Sequence, residues 1–173
     1  MAAVKIQDRR VIHESLILCD MSWPMLYSPV TEDHVGDPTL ERQVFSAITG
    51  IEMDEERMDQ CAQRIFNIQR ADQIKDGRKG REDDSLEAFH FTMGLKRDFG
   101  NEKCIVPGKD GEIFSRRGMV MDRDDFEKMK DEYYGLRGWD VATGLPTRKA
   151  LERVDLKEVA DGLEKIGKLA GTG

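Results

Sequence analysis

The sequence predicts a mostly α, multihelical domain with a minor β-hairpin. Three observations carry that expectation. Apolar residues recur at spacings of three and four along several stretches, the period of a helix with one buried face. Capping residues and glycines bound those stretches, with Asp37, Asp54, Asp122 and Thr147 at their starts and Gly50 and Gly77 at two of their ends. The composition, 39% apolar and 35% charged, suits helices with solvated outer faces better than a β-sandwich.

Taken in order, residues 3–18 carry Val4, Val11, Ile12, Leu16 and Leu18 as a helical stripe that runs toward Cys19. Pro24 and Pro29 forbid its continuation, so 22–29 is a loop. Asp37-Pro38 opens a second helix with Leu40, Val44, Phe45 and Ile48 on one face, closed at Gly50. Asp54 caps the longest helix, whose inner face is Met58, Cys61, Ala62, Ile65, Ile68 and Ala71, and Gly77 ends it. A charged loop, 78–85, leads to a short helical piece at 86–93. Residues 94–121 are the least helical. Turns at Pro107-Gly108 and Asp110-Gly111 suggest a hairpin pairing 112–114 with 118–120. Asp122 starts a helix with Phe126, Met129, Tyr133 and Leu136 inward. Trp139 then anchors the helix end, and Thr147 caps a short helix. Asp155 with Glu158 reads as a capping box for the last helix, burying Leu156, Val159, Leu163 and Ile166. The tail, Ala170 to Gly173, is expected to fray. No segment repeats, and one domain over residues 1–173 is the expected organisation.

A net charge of −7 with both signs interspersed argues against nucleic-acid binding. No window approaches the 18 or so apolar residues of a membrane span. Lys5, Asp8, Arg9 and Arg10 leave no apolar core for an export leader. Cys19, Cys61 and Cys104 form no C-x-x-C pair, as expected of reduced thiols in a cytoplasm.

Cys19 is the candidate for chemistry. One cysteine cannot hold a metal alone, since iron–sulfur clusters take about four thiolates, but a thiol at a helix end is placed to complete a ligand set supplied from elsewhere. Cys61 reads as core, and Cys104 has no functional case. The histidines lack metal-ligand spacing, and Gly77 to Gly80 lacks the strand and spacing of a phosphate loop. The acidic run Asp122, Asp124, Asp125 and Glu127 complements a helix dipole. Glu14 and Asp20 are carboxylates near the same helix end, where capping or solvation is the ordinary role.

Three stretches together resemble one family. E-S-L-I-L-C-D at 14–20 is similar to the D-x-x-G-L-C-x motif of tungsten-containing aldehyde:ferredoxin oxidoreductases. R-I-F-N-I-Q-R-A-D-Q-I-K-D-G-R-K-G-R-E-D-D-S-L at 64–86 resembles their arginine- and asparagine-spaced helix and charged loop. D-E-Y-Y-G-L-R-G-W-D-V-A-T-G-L-P-T-R-K-A-L at 131–151 looks like their C-terminal signature and is the most specific of the three. The resemblance implies the helical C-terminal third of such an enzyme, which oxidises aldehydes to carboxylic acids and passes electrons to ferredoxin. It implies a parent enzyme holding a tungsten bis-pterin and a 4Fe–4S cluster, with three cluster ligands on a C-x-x-C-x-x-x-C motif elsewhere and Cys19 as the fourth. By the same resemblance Glu14, Ile17, Leu18 and Asp20 would lie along the pterin. Glu14 stands where the family has Asp, and Ile17 where it has Gly. The family's acid and histidine beside the metal lie upstream, so no residue here is named catalytic. The chain alone is expected to be inactive and to bind no cofactor, its partners being the N-terminal domains of the same enzyme and, indirectly, ferredoxin. Two alternatives accompany this reading: the tungsten subunit of a related aromatic-ring reductase, and a non-enzymatic helical interaction module. An exposed apolar face over Leu16 to Leu26, including Trp23 and Met25, is expected where the missing domains would pack.

Overall fold

The structure, a computed structural model, describes residues 2–19, 28 and 30–171. Among the described residues six α-helices and one two-stranded antiparallel sheet occur, so the molecule is mostly α with a minor hairpin. The helices are α1 (Ala2–Ser15), α2 (Leu40–Thr49), α3 (Glu55–Lys75), α4 (Arg123–Arg137), α5 (Arg148–Glu152) and α6 (Lys157–Lys165). The strands are β1 (Ile105–Pro107) and β2 (Ile113–Ser115).

The long α3 is the spine, with α1 and α6 packed along it and α4 against α1. Its start is fixed by Asp54, whose side chain accepts from the Arg57 N–H (2.8 Å). Its end is a glycine stop: Gly77 takes φ 110° and Arg78 N–H returns to the Gln73 carbonyl. Three apolar clusters line the spine in sequence. Val11 and Ile12 of α1 meet Ala62 at one end, and Tyr134, Trp139 and Ala150 form the middle. Ala71 and Ile74 meet Leu151, Val154, Leu156, Ala160 and Leu163 at the other end. Phe66 packs on the first two clusters and joins them. The last helix belongs to this core, since Leu163 and Ala160 are fully buried.

Asp122 caps α4 through the Asp125 N–H (2.9 Å) and Thr147 caps α5 through the Ala150 N–H (3.1 Å), as the sequence indicates. Gly50 closes α2 in the left-handed region. Trp139 is buried, its indole N–H donating to Asn67 Oδ1 at 2.8 Å.

Several expectations are corrected. Helix α1 stops at Ser15, short of Cys19. The N-cap of α2 is Thr39; Asp37 instead accepts from the Thr39 N–H and hydroxyl, one step upstream of the helix. On α2 the buried residue is Glu41, while Ile48 is exposed, because this helix lays its acidic side on Arg9 of α1. Cys61 is exposed on α3, not core. Met129, Leu136 and Ile166 are exposed as well. On α4 the inward positions belong to Tyr133, Tyr134 and Arg137. The hairpin pairs Val106 with Phe114, so residues 112–114 turn back on an upstream strand rather than on 118–120. Asp155 caps no helix: at φ 59° it reverses the chain after α5, and Leu156 N–H bonds to the Leu151 carbonyl. Ala170 is buried and donates its N–H to Pro146, so the tail is tied down to that point.

Candidate functional site

The turn after α1 carries the candidate thiol, and its geometry follows from how the helix ends. Ile17 N–H bonds to the Glu14 carbonyl (3.1 Å) and Leu18 N–H to the His13 carbonyl (3.1 Å), the paired bonds of a Schellman cap. That cap needs a residue in the left-handed region, and Ile17 occupies it at φ 57°. Glycine ordinarily takes this place because a Cβ there crowds the backbone, at a cost of about 1–2 kcal/mol for other residues. A β-branched side chain in this position is an outlier, tolerated because it projects into open space at 92% exposure. The turn presents Cys19 at the surface just beyond the cap. Leu18 is half-buried and Glu14 is exposed, its carboxylate held by Arg10 one turn back (3.0 Å). The turn thus brings Glu14, Ile17, Leu18 and Cys19 together. Asp20 lies outside the described residues, as do Trp23, Met25 and Leu26 of the expected apolar face. Of that face, Ile17 is exposed and Leu16 and Leu18 are half-buried.

A second constellation, which periodicity alone does not reveal, sits where α3, its following loop and α4 converge. Asp84, on the charged loop, accepts a two-pronged bond from Arg70 (2.9 and 2.6 Å), two further bonds from Arg78 (3.1 and 2.6 Å) and one from the Tyr134 hydroxyl (2.6 Å). Burial alone would push the Asp84 carboxyl up, but the Arg70, Tyr134 and Arg78 donors together outweigh it and hold the group at about 2. The same arrangement raises Tyr134, through burial and through its bond to the ionised Asp84. Arg70 is 6% exposed, lies over the Trp139 ring at 4.7 Å, and also donates to the Gly144 carbonyl at 2.8 Å. Gly144 must be glycine: its φ is 65°, and a Cβ would come within 2.8 Å of Arg81 N and 3.0 Å of the Tyr134 ring. A cavity of about 320 Å³ opens beside this cluster, with Arg70, Arg78, Lys130 and Trp139 among its walls.

A third buried group ties α1 to α4. Arg137 pairs with Asp8, both almost fully buried, and also receives Gln7 and the Tyr133 hydroxyl as partners. Burial raises the Asp8 carboxyl even against the Arg137 bond. Glu41 is raised by burial too, since Arg9 approaches only to 3.6 Å. These pairs hold α1 against α4 and against α2. The signal that could have found Arg70 is its position: Asn67, Arg70, Ala71 and Ile74 share the inner stripe of α3, and polar residues on an apolar stripe need partners.

Among the described residues no three His, Cys, Asp or Glu side chains gather as metal ligands. Cys104 is buried and Cys61 lies elsewhere on α3.

Comparison with known proteins places these features in context. The family model described as aldehyde ferredoxin oxidoreductase, domains 2 and 3, matches residues 1–156. A solved structure, the active site complex BamBC of benzoyl coenzyme A reductase in complex with 1,5-dienoyl-CoA, is similar with a TM-score of 0.53 and 25% identity. That likeness covers 76% of this chain and 16% of the other, so the chain spans a small part of the relative's length.

Proposed function

This chain belongs to the aldehyde ferredoxin oxidoreductase family, and from that premise we propose that it forms the helical C-terminal part of a tungsten–pterin, iron–sulfur oxidoreductase. The observation that carries the proposal is that the family match takes in the Cys19 turn and continues to residue 156. The parent reaction is oxidation of an aldehyde to a carboxylic acid, with electrons leaving to ferredoxin. A bound 4Fe–4S cluster would relay those electrons away from the tungsten pterin.

The residues present fit one ligand position. Cys19 would supply its thiolate, and the Schellman cap fixes the direction in which the chain leaves α1. Glu14, steadied by Arg10, would offer a carboxylate to the amino edge of the pterin, while Ile17, Leu18 and Asp20 would form the adjoining wall. The isolated chain is inactive in this reading, because the remaining cluster ligands and the active-site acid and histidine belong to other parts of the enzyme. Its partners are those N-terminal domains, on the same or a separate chain, and ferredoxin indirectly. Exposed apolar side chains at Ile17, Val30, Val35, Ile48 and Ile51 support a docked position. Residues 1–173 act as one helical unit, since α6, beyond the family match, completes the core around Leu151. Among the described residues no helix is long and apolar enough to cross a membrane, and the sparse cysteines support a cytoplasmic site.

The likeness to the benzoyl coenzyme A reductase complex favours a second reading, in which the parent enzyme reduces an aromatic ring. Co-expression with a polypeptide bearing the β domain and the C-x-x-C-x-x-x-C motif tests both. The expected complex retains iron and tungsten that the chain alone does not. Aldehyde-dependent reduction of ferredoxin supports the first reading, and reduction of an aromatic thioester the second. A stable complex without iron overturns both.

A further inference from the structure

Residues 94–121 leave the helical body and return to it as an arm. Its base is closed by Leu95, which donates its N–H to the Met119 carbonyl (2.9 Å) and accepts from the Gly118 N–H (2.8 Å). The two legs approach so closely that a Cβ at Gly94 would lie 2.7 Å from the Gly118 carbonyl oxygen. Farther out β1 and β2 pair with each other, and neither has an extensive contact with a helix of the body. Phe99 and Ile113 stand open on the arm, at 94% and 74% exposure. Beside its base a groove of about 780 Å³ reaches the start of α4, lined by Phe89, Met93, Met119, Val120, Met121 and Met129. Each of these six is at least 37% exposed, so they form one open apolar surface. Unbranched thioethers suit a docking surface, because they repack around the side chains that enter. The arm also differs from the body in charge. From Gly94 to Met121 six lysines and arginines outnumber four carboxylates, in a chain of net charge −7. Among the described residues only Arg116 of these six has a carboxylate within 4.0 Å, that of Asp98, whereas cations of the body are mostly drawn into ion pairs. Lys96 and Arg116 line the groove from the arm, and Asp98, Asp122 and Asp125 line it too. The last two are committed, Asp122 to the cap of α4 and Asp125 to Lys128 at 3.0 Å. The charge left uncompensated at this surface is the positive charge of the arm.

We propose that the arm and groove form a second docking face for the rest of the parent enzyme. That partner enters the groove with an apolar ridge and sets carboxylates on Lys96 and the arm's other unpaired cations. Size and charge both favour this occupant. The match to the solved relative covers 16% of that chain, so most of such an enzyme lies outside this one. An anionic membrane fits worse, because the groove is concave and three aspartates line it. The proposal rests on the family reading, in which this chain docks on further domains. It shares no residue with the Cys19 turn or with the apolar side chains named there.

Peroxide footprinting tests this on the complex with the polypeptide bearing C-x-x-C-x-x-x-C. Met93, Met119 and Met129 should oxidise at least about tenfold more slowly in the complex than in the free chain. Lys96→Glu combined with Arg116→Glu, shown folded by circular dichroism, should weaken the complex about tenfold and lessen its salt dependence. Lys165→Glu on α6 should leave affinity unchanged. A complex that holds iron while the three methionines oxidise as in the free chain overturns the docking face and leaves the Cys19 reading standing. Protected methionines in a complex without iron support the docking face and count against the Cys19 reading. The docking face is also overturned if the wild-type chain forms no complex, or if the folded charge-reversed chain binds as tightly. Dimerisation of the free chain that Met119→Glu abolishes would make the groove a contact between copies, and overturn it. Binding of the free chain to phosphatidylglycerol vesicles that the charge reversal abolishes would overturn it in favour of a membrane.

Discussion

Replacing Asp84 by asparagine removes the one charge on which Arg70, Arg78 and Tyr134 converge. The carboxylate is 18% exposed and Arg70 only 6%, so the pair is too enclosed for water to restore what is lost. Breaking one side of a buried pair costs roughly 3–5 kcal/mol, reduced here because asparagine keeps one acceptor oxygen. The proton linkage gives an independent figure. A carboxyl held at about 2 in the folded protein, against an ordinary value of 3.8, contributes about 2 kcal/mol at neutral pH. Because the folded value is depressed, that contribution is complete above the ordinary carboxylate range and fades as pH falls toward about 2. The expected loss for Asp84→Asn is therefore about 2–4 kcal/mol at neutral pH, shrinking steadily in acid. Urea denaturation followed by circular dichroism, run for both chains across a pH series, reads it directly. Comparing the two chains cancels every other titration. A loss under about 1 kcal/mol, or one of equal size at neutral and acid pH, would refute the reasoning.

Other perturbations probe separate links. Ile17→Gly relieves the left-handed strain, about 1–2 kcal/mol, offset in part by glycine's greater freedom when unfolded; a small rise in Tm is expected, and a fall would contradict the assigned cap. Glu41→Gln removes a carboxylate that burial disfavours, so stability at neutral pH should be unchanged or higher. Because the folded value is raised, wild-type stability should gain on acidification through it while the variant does not, as urea titrations at neutral and mildly acid pH would show. Leu163→Ala should cost about 2–5 kcal/mol in denaturant, whereas Ile166→Ala, at 51% exposure, should stay within about 0.5 kcal/mol.

The sequence makes the helices legible where a cap and an apolar stripe agree. Asp54, Asp122 and Thr147 are caps as read, because an Asx or hydroxyl oxygen reaches an amide two or three residues on whatever the tertiary context. It misleads where polar residues take the inner positions. The apolar spacing of α4 points to Met129 and Leu136, yet Arg137 is buried because Asp8, more than a hundred residues away, is there to receive it. Likewise α2 buries Glu41 and exposes Ile48. Long-range charge pairing of this kind has no local signature. Of the candidate site, Cys19 and its neighbours are legible as a motif. The cap that presents them is not, since nothing in the spacing announces an isoleucine in a glycine conformation. The cavity beside Asp84 depends on segments distant in sequence meeting and is invisible until they do.

The central claim is that the Cys19 thiolate completes an iron–sulfur cluster whose other ligands come from elsewhere in the enzyme. Electron paramagnetic resonance of the reduced complex, formed with the polypeptide bearing C-x-x-C-x-x-x-C, tests it most directly when Cys19 and Cys19→Ala chains are compared at equal occupancy. The account predicts that the Cys19→Ala complex assembles but shows a lost or converted cluster signal with reduced iron content. An unchanged 4Fe–4S signal and full iron content in that variant would contradict it.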